Sequence, residues 1–483
     1  MNTSLHPAEY LPILIYLIVL FYLGLRRRTT GTEEDFVLAG RSLTLPAFVA
    51  TLVTTWYGGI LGVGEFTYLY GLSNWLVFGF PYYVFALAFA IFLAPRIRQT
   101  SMLSIPDQFY AHYSPKAGFL GAIYTFFMTL PAPYILMVGI LLQWITGWPL
   151  AICIVLGAIF SMGYVWLGGF RSVIRTDKLQ FVLMFGGFFV LFVYLYHQYG
   201  GFTFLKTHLP AEHLTLTGGH SGSYLLVWFF IASWTFIDPG FHQRCYAARD
   251  PATARKGILI SVLFWFVFDF LTTSTGLYAR ALMEIPTPTL VYPALSHQLL
   301  PPFVSGLFLT GLLATIMSTI DSLSLLAAIT LGHDVWERLS PRTSPNRITP
   351  IKVGLLIATL ASILLAIFFP SVIQLWYIIG TLFIPPMLLP LLAVYFPSIR
   401  PRPRWILANL ILAFTTSFIF LLLSLLQSPS IYQIQYFGNI QPMYPGLLVS
   451  LLIFVTGNVI RKHRESSSTS NLTRNEQPPD SAS

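Results

Sequence analysis

The stretch Ala314-Thr315-Ile316-Met317-Ser318-Thr319-Ile320-Asp321-Ser322 lies inside an apolar run of helix length from Gly311 to Asp334. At about 100° per residue, Thr315, Ser318, Thr319 and Ser322 fall within an arc of roughly 100°, so one face of a greasy helix carries four hydroxyls. Asp321 stands about 60° round from Ser318 on the same geometry. A carboxylate at the centre of a membrane span costs about 2.5–3.5 kcal/mol on insertion scales and is kept only with a partner. Hydroxyls and a carboxylate are hard oxygen donors, suited to a hard cation such as sodium rather than to a soft metal. A hydroxyl in a membrane helix also back-bonds to the carbonyl four residues earlier or joins two helices. That reading serves one hydroxyl better than a set of four on one face.

The surrounding composition places this helix in a bilayer. Of 483 residues, 55% are apolar and only 9% charged, where a soluble domain carries about 25% charged residues. That implies a polytopic, all-α membrane protein embedded in lipid, with no room for a large soluble domain. Cys153 in an apolar span and Cys245 in a basic loop make neither a disulfide framework nor a thiolate metal site. The net charge of +9 is a topology signal rather than a nucleic-acid footprint, because of where the charges sit.

The first apolar run, Leu11 to Leu25, has Arg26-Arg27-Arg28 after it and no basic residue before it, the reverse of a cleavable signal peptide. It reads as a retained span with the N-terminus outside. Windows of about 20 residues place further spans near 45–71, 74–95, 118–141, 147–168, 178–198, 222–240, 257–281, 303–332, 351–370, 372–396, 404–427 and 442–460, thirteen in all. With the C-terminus inside, alternate loops collect all of the 27 Lys and Arg except Lys206 and Arg280. The tail from Glu465 to Ser483 is Ser-, Asn- and Pro-rich and reads as disordered.

Two spans are interrupted. One contains Trp56-Tyr57-Gly58-Gly59-Ile60-Leu61-Gly62-Val63-Gly64-Glu65, the other Ser233-Trp234-Thr235-Phe236-Ile237-Asp238-Pro239-Gly240. Non-helical backbone at membrane depth survives only where it is buried in protein or lines a cavity. The breaks stand five spans apart, each opening a block of five, which points to a midplane site between inverted repeats. Glycines used only for close helix packing are the plainer reading of the first break alone.

Four local patterns resemble the sodium:solute symporter family, which includes sodium-coupled sugar, proline and sialic acid carriers. They are Ala39-Gly40-Arg41-Ser42-Leu43; Gly168-Gly169-Phe170-Arg171-Ser172-Val173 with Thr176-Asp177 and Gln180; Gln243-Arg244 with Ala247-Ala248-Arg249-Asp250 and Ala254-Arg255; and Gly311-Leu312-Leu313-Ala314 with Met317 to Ser322. Their order and spacing match over about residues 36 to 335. The resemblance implies a leucine-transporter-type 5+5 inverted-repeat core inside one transmembrane domain over residues 1–464. A leading helix (7–28), a first repeat (45–198), a second repeat (222–396) and two further helices (404–460) would precede the tail at 465–483.

The resemblance also implies a sodium site. Its ligands would be the carbonyls of Thr54, Tyr57 and Thr315 and the hydroxyls of Ser318 and Thr319. A second ion site or exit path would use Asp177, Asp321 and Ser322. The chain departs from the family in two places. Trp56 stands where the proline branch has an acid, and Trp265 where sugar carriers have a lysine, so neither pocket is to be copied. Glu65 and Asp269 are functional candidates by depth alone. Glu65 could meet a substrate amine, take a proton or pair with Arg280; Asp269 could be satisfied by Thr272, Thr273 and Ser274. Trp56, Gly59 and Trp234 complete the substrate or gate candidates, Trp234 aligning by the resemblance with an aromatic inner gate.

The function expected is secondary active transport: sodium, co-transported, drives symport of a small organic solute across the plasma membrane by alternating access. Two alternatives stay open, a proton-coupled carrier using Glu65, Asp269 or Asp321, and a sensor or scaffold on a transporter-like frame. No His or carboxylate cluster has catalytic spacing, so an enzyme is not expected. The two extra acids hint at an amine or polyol as solute rather than an anion.

Overall fold

The computed structural model describes residues 5–25, 31–340, 347–369, 371–430 and 434–475. Arg26, Arg27, Arg28 and Arg342, counted in the charge alternation, lie outside the described residues, as do 476–483 of the tail. In chain order the long elements are α1 (Pro7–Leu25), α2 (Leu45–Trp56), α3 (Ile60–Tyr70), α4 (Phe80–Phe92), α5 (Pro115–Met128), α6 (Ala132–Thr146) and α7 (Leu150–Tyr199). They continue with α8 (Gly222–Ile231), α9 (Pro239–Ala247), α10 (Pro251–Leu282), α11 (Pro302–Ile329), α12 (Ile348–Phe368), α13 (Val372–Tyr395), α14 (Pro403–Gln427) and α15 (Met443–Asn475). Helices satisfy their own backbone polar groups, which is what a bilayer demands. Among the described residues, twelve helical segments are long and apolar enough to cross a membrane.

One of the twelve is the 50-residue α7. At about 1.5 Å per residue it would be roughly 75 Å long, more than twice the hydrocarbon core. It is divided at Gly169 (φ 53°, ψ −145°), a conformation that favours glycine and where a Cβ would also meet Phe36. The two segments carrying the interrupted stretch and the hydroxyl face, Leu45–Tyr70 and Pro302–Leu339, are the most enclosed of the twelve, with 83% of the residues buried in an 18-residue apolar stretch of each. Glycine admits α11 to that depth. Gly306 lies against the backbone of Glu9, and a Cβ on Gly311 would come 2.8 Å from the Leu183 carbonyl oxygen. Glu9 itself is buried and accepts from Ser305 at 2.7 Å, tying α1 to α11.

The helices gather into two compact units. One comprises the residues up to Ile105 with Thr125–Gly380; the other comprises Pro106–Tyr124 with the residues from Thr381 on. Both interrupted helices, α11 and every candidate site residue belong to the first. There the Ala39–Leu43 segment is a clasp. The Leu43 N–H donates to Ala247 O at 2.9 Å, Arg249 N–H donates to Leu43 O at 3.0 Å, and Arg41 reaches the carbonyls of Ser101 (2.8 Å) and Met102 (3.2 Å). Arg171, next to the Gly169 turn, pairs with Asp35 at 2.5 Å. In the second unit Tyr124 donates to Leu410 O at 2.9 Å and stacks on Phe414, while Asn409 donates to Ser450 O at 2.8 Å.

Three expectations are corrected. The span placed over 118–141 is two helices parted at Thr129–Pro131, because Pro131 and Pro133 have no N–H to continue the ladder. The span placed over 222–240 ends as an α-helix at Ile231, and α9 carries the chain on to Ala247. Arg244, counted among loop charges, lies in that added helix and is 0% exposed. The helix α15 continues through Asn475.

Candidate functional site

The first interruption is a single 3₁₀ turn, Tyr57–Gly59, between α2 and α3. The change of pitch takes nearby carbonyls off their regular partners. A Cβ on Gly58 would fall on the Cβ and Oγ1 of Thr319, so the hydroxyl face of α11 lies directly on the break. Thr319 donates to Thr55 O at 2.6 Å. Ser318, the neighbouring hydroxyl, donates to Asp177 Oδ1 at 2.6 Å, and Thr51 of α2 donates to the other oxygen of the same carboxylate. Ser318, Asp177 and Thr51 are all buried. The hydroxyl groups of Thr54 and Thr315 back-bond to Ala50 O (2.8 Å) and Gly311 O (2.7 Å).

Arg244 joins this network from α9. Its guanidinium donates to Ser322 Oγ (2.7 Å), Thr55 Oγ1 (2.9 Å) and Thr51 Oγ1 (3.0 Å), and stands 5.1 Å from the centre of the Phe170 ring. A buried cation so close to Thr51, which itself bonds Asp177, balances that carboxylate. The structure therefore brings Asp177, Ser318, Thr319 and Ser322 into one hydroxyl-rich cluster and sets Asp321 apart. Asp321 accepts from Ser161 and Tyr164 of α7 and holds α11 to that helix.

The second interruption is longer, a 3₁₀ stretch over Ala232–Ile237 ended by Asp238. Asp238 caps α9, its Oδ1 accepting from Phe241 N–H at 2.9 Å, with Pro239 at the first helical position. Its Oδ2 accepts from Trp234 Nε1 at 2.8 Å. A cavity of about 170 Å³ lies against both breaks, lined by Thr55, Trp56, Tyr57, Gly59, Trp234, Asp238, Arg244, Asp269 and Thr319 among others. Its walls are chiefly aromatic: Trp56, Tyr82, Tyr134, Trp228, Trp234, Phe241 and Trp376 all face it.

Asp269 is satisfied from other helices. Tyr57 OH donates to its Oδ1 at 2.7 Å and Tyr83 OH to its Oδ2, whereas Thr273 is taken by Asn74 at 3.1 Å. The expected local partners Thr272, Thr273 and Ser274 give way because two phenols converge from α2–α3 and α4. Glu65 lies off the cavity and accepts from Thr289 at 3.1 Å. The expected gate partner, Arg280, instead sits over the Tyr68 ring, 5.1 Å from its centre. Sequence reasoning missed Arg244, Asp238 and the Tyr82, Tyr134 and Trp376 walls as site residues. Asp238 was signalled by its place before Pro239; the ring walls had no local signal.

Discontinuous helices enclosing a buried ionic network beside a cavity define a membrane carrier. Residues 36–400 match the sodium:solute symporter family, and the chain belongs to that family. It is 26% identical to the sodium/pantothenate symporter of Escherichia coli over 93% of this chain and 95% of that protein. It is 22% identical to the rat sodium/glucose cotransporter 2 over 71% of this chain and 60% of that one. The solved substrate-bound, outward-open structure of a Na⁺-coupled sialic acid symporter has the same fold, with a TM-score of 0.78 at 15% identity over 94% of this chain and 97% of that one. The chain is a secondary active transporter that couples sodium to symport of a small solute across a membrane, and its role is transport rather than catalysis.

Proposed function

We propose that sodium binds where α11 lies on the first break, and that the solute binds in the cavity beside it. The observation that carries this is the contact of the Thr319 hydroxyl with the Thr55 carbonyl at 2.6 Å, with Gly58 packed beneath it. The ligands are the carbonyls of Thr54, Tyr57 and Thr315 and the hydroxyls of Ser318 and Thr319. A hydroxyl that gives its proton to a carboxylate, as Ser318 does to Asp177, turns its lone pairs outward toward a cation. Ion binding ties α11 to the broken helix and favours the outward-open state. Asp177 then receives the ion on its way inward, past Ser322 and with Asp321 holding α11 to α7. Trp56, Gly59, Trp234 and Asp269 border the solute, and Glu65 stands on the outer approach to it.

In this reading the turn at Gly169 divides α7 into two crossings, making thirteen spans. Those from α2 and from α8 form two inverted blocks of five within one domain, with the N-terminus outside a plasma membrane. One sodium ion moving inward releases about 2.3 kcal/mol from 100 mV and about 1.4 from a tenfold gradient. Roughly 3.7 kcal/mol supports several-hundred-fold accumulation of solute.

The test is sodium activation of uptake in proteoliposomes. Ser318→Ala and Thr319→Ala each remove one oxygen ligand from the cation, taken as comparable to a hydrogen bond to a charged group at about 1.5–3 kcal/mol, so the sodium concentration for half-activation rises about 10–100-fold. Unchanged sodium dependence in both variants, with normal insertion, overturns the site.

A further inference from the structure

We propose that the cavity selects a methylated organic cation, an alkylammonium whose nitrogen carries methyl groups rather than N–H bonds. This rests on the reading of the cavity as the solute site. Three features of the lining carry it: ring arrangement, charge, and the hydrogen bonds already made.

The Trp56 ring meets Tyr82 at 4.9 Å between centres and 69° between planes, and Phe241 at 5.7 Å and 80°. Rings set nearly at right angles make the corner of a box, and all three line the cavity. Trp376 lies flush on the backbone of the first break, where a Cβ on Gly59 would meet its indole. The negative faces of aromatic rings attract a cation whose charge is spread over methyl groups, and a loosely hydrated cation loses little on leaving water.

The charges agree. Asp238 receives N–H bonds from Phe241 (2.9 Å) and Trp234 (2.8 Å), both of which suit an ionised carboxylate on the cavity wall. Arg244 also lines the cavity, but it donates to Thr51, Thr55 and Ser322, and Thr51 is bonded to Asp177. The positive charge thus belongs to the ion-site network, and Asp238 and Asp269 leave the solute space negative. An anionic solute would meet two carboxylates against the one guanidinium of Arg244.

The polar lining is also largely engaged. Asp269 takes two phenol protons, Asp238 takes two N–H groups, Thr319 donates to Thr55 O, and Thr55 Oγ1 is shared with Ser322 and Arg244. A sugar or a primary ammonium would need several of the remaining lone pairs at once for its donors, and each donor left unmet is costly. A nitrogen bearing methyl groups brings charge and no donors.

The experiment is thermal stabilisation of the purified full-length carrier in sodium chloride and in potassium chloride. The probes are (2-hydroxyethyl)trimethylammonium, its neutral carbon isostere 3,3-dimethylbutan-1-ol, 2-aminoethanol, glucose and pantothenate. The expected result is stabilisation by the trimethylammonium probe in sodium, at concentrations at least tenfold below those needed with the isostere or the primary amine. Trp56→Leu and Asp238→Asn should each raise that concentration tenfold or more, with Trp56→Phe intermediate and sodium alone still stabilising every variant. Equal potency of the neutral isostere, or stabilisation by glucose or pantothenate without the cation, overturns the proposal. Sodium stabilisation of wild type lost in Ser318→Ala but with no response to the cation defeats this inference alone. No sodium stabilisation at all defeats the ion-site reading beneath it.

Discussion

The break at Tyr57–Gly59 and the break at Ala232–Ile237 hold matching places in the chain but offer different chemistry. The first has no carboxylate or cationic side chain; it is one tight turn whose glycines let Thr319 and Trp376 lie on bare backbone. What it presents is carbonyl oxygen, which suits a small hard cation. The second is twice as long and closes on a capping carboxylate with an indole bonded to it. What it presents is side chains, which suit an organic solute. The helix after the second break then returns Arg244 to Thr51 and Thr55, one turn ahead of the first. In the proposed mechanism a solute acting on α9 and an ion acting on α2 would share one hydrogen-bond network, the kind of two-site element on which coupling depends.

Substituting one glycine at each break separates these roles, and the largest effect is expected at Gly58. A Cβ there falls on Thr319. Overpacking of this kind costs about 1–3 kcal/mol, so Gly58→Ala should raise the sodium concentration for half-activation by about 10–100-fold. Uptake measured against sodium at saturating solute checks it.

Gly240→Ala should do less, and to a different ligand. Its Cβ would come 2.9 Å from Asp238 Oδ1 and 3.6 Å from an Arg244 nitrogen, pushing the carboxylate off its cap. A lost cap costs about 1 kcal/mol, so the apparent KM for solute should rise about fivefold while half-activation by sodium moves less than twofold. If Gly240→Ala instead shifts sodium as Gly58→Ala does, the division between an ion break and a solute break fails.

How much of this was legible depended on whether the partners were close in sequence. The hydroxyl face of α11 and the two breaks follow from periodicity and from Gly and Pro at apolar depth, and the family patterns fixed their order. Arg244 looked like a loop charge because the hydropathy of the span fades among His242, Gln243 and Arg244. Only the fold shows that hydroxyls on α2 and α11 receive it. Asp269 was given hydroxyls on its own helix, but its partners Tyr57 and Tyr83 lie about 200 residues upstream. Asp321 likewise draws its partners from α7, since Ser161 and Tyr164 approach only once α7 packs on α11.

The smallest effect is expected at Gly62, one turn beyond the first break. Its Cβ would stand 3.3 Å from two carbons of the Trp376 ring, a gap that a shift of a few tenths of an ångström relieves. Against that strain, alanine in a helix interior is favoured over glycine by about 1 kcal/mol. The two terms nearly offset, so Gly62→Ala should keep half-activation by sodium and the solute KM within about threefold of wild type, with an equal or higher Tm. Uptake titrations and thermal unfolding in sodium read both. A loss as large as that of Gly58→Ala would mean that Trp376 locks α3 along its length. Close approach to Thr319 would then no longer distinguish the ion break from the helix that follows it.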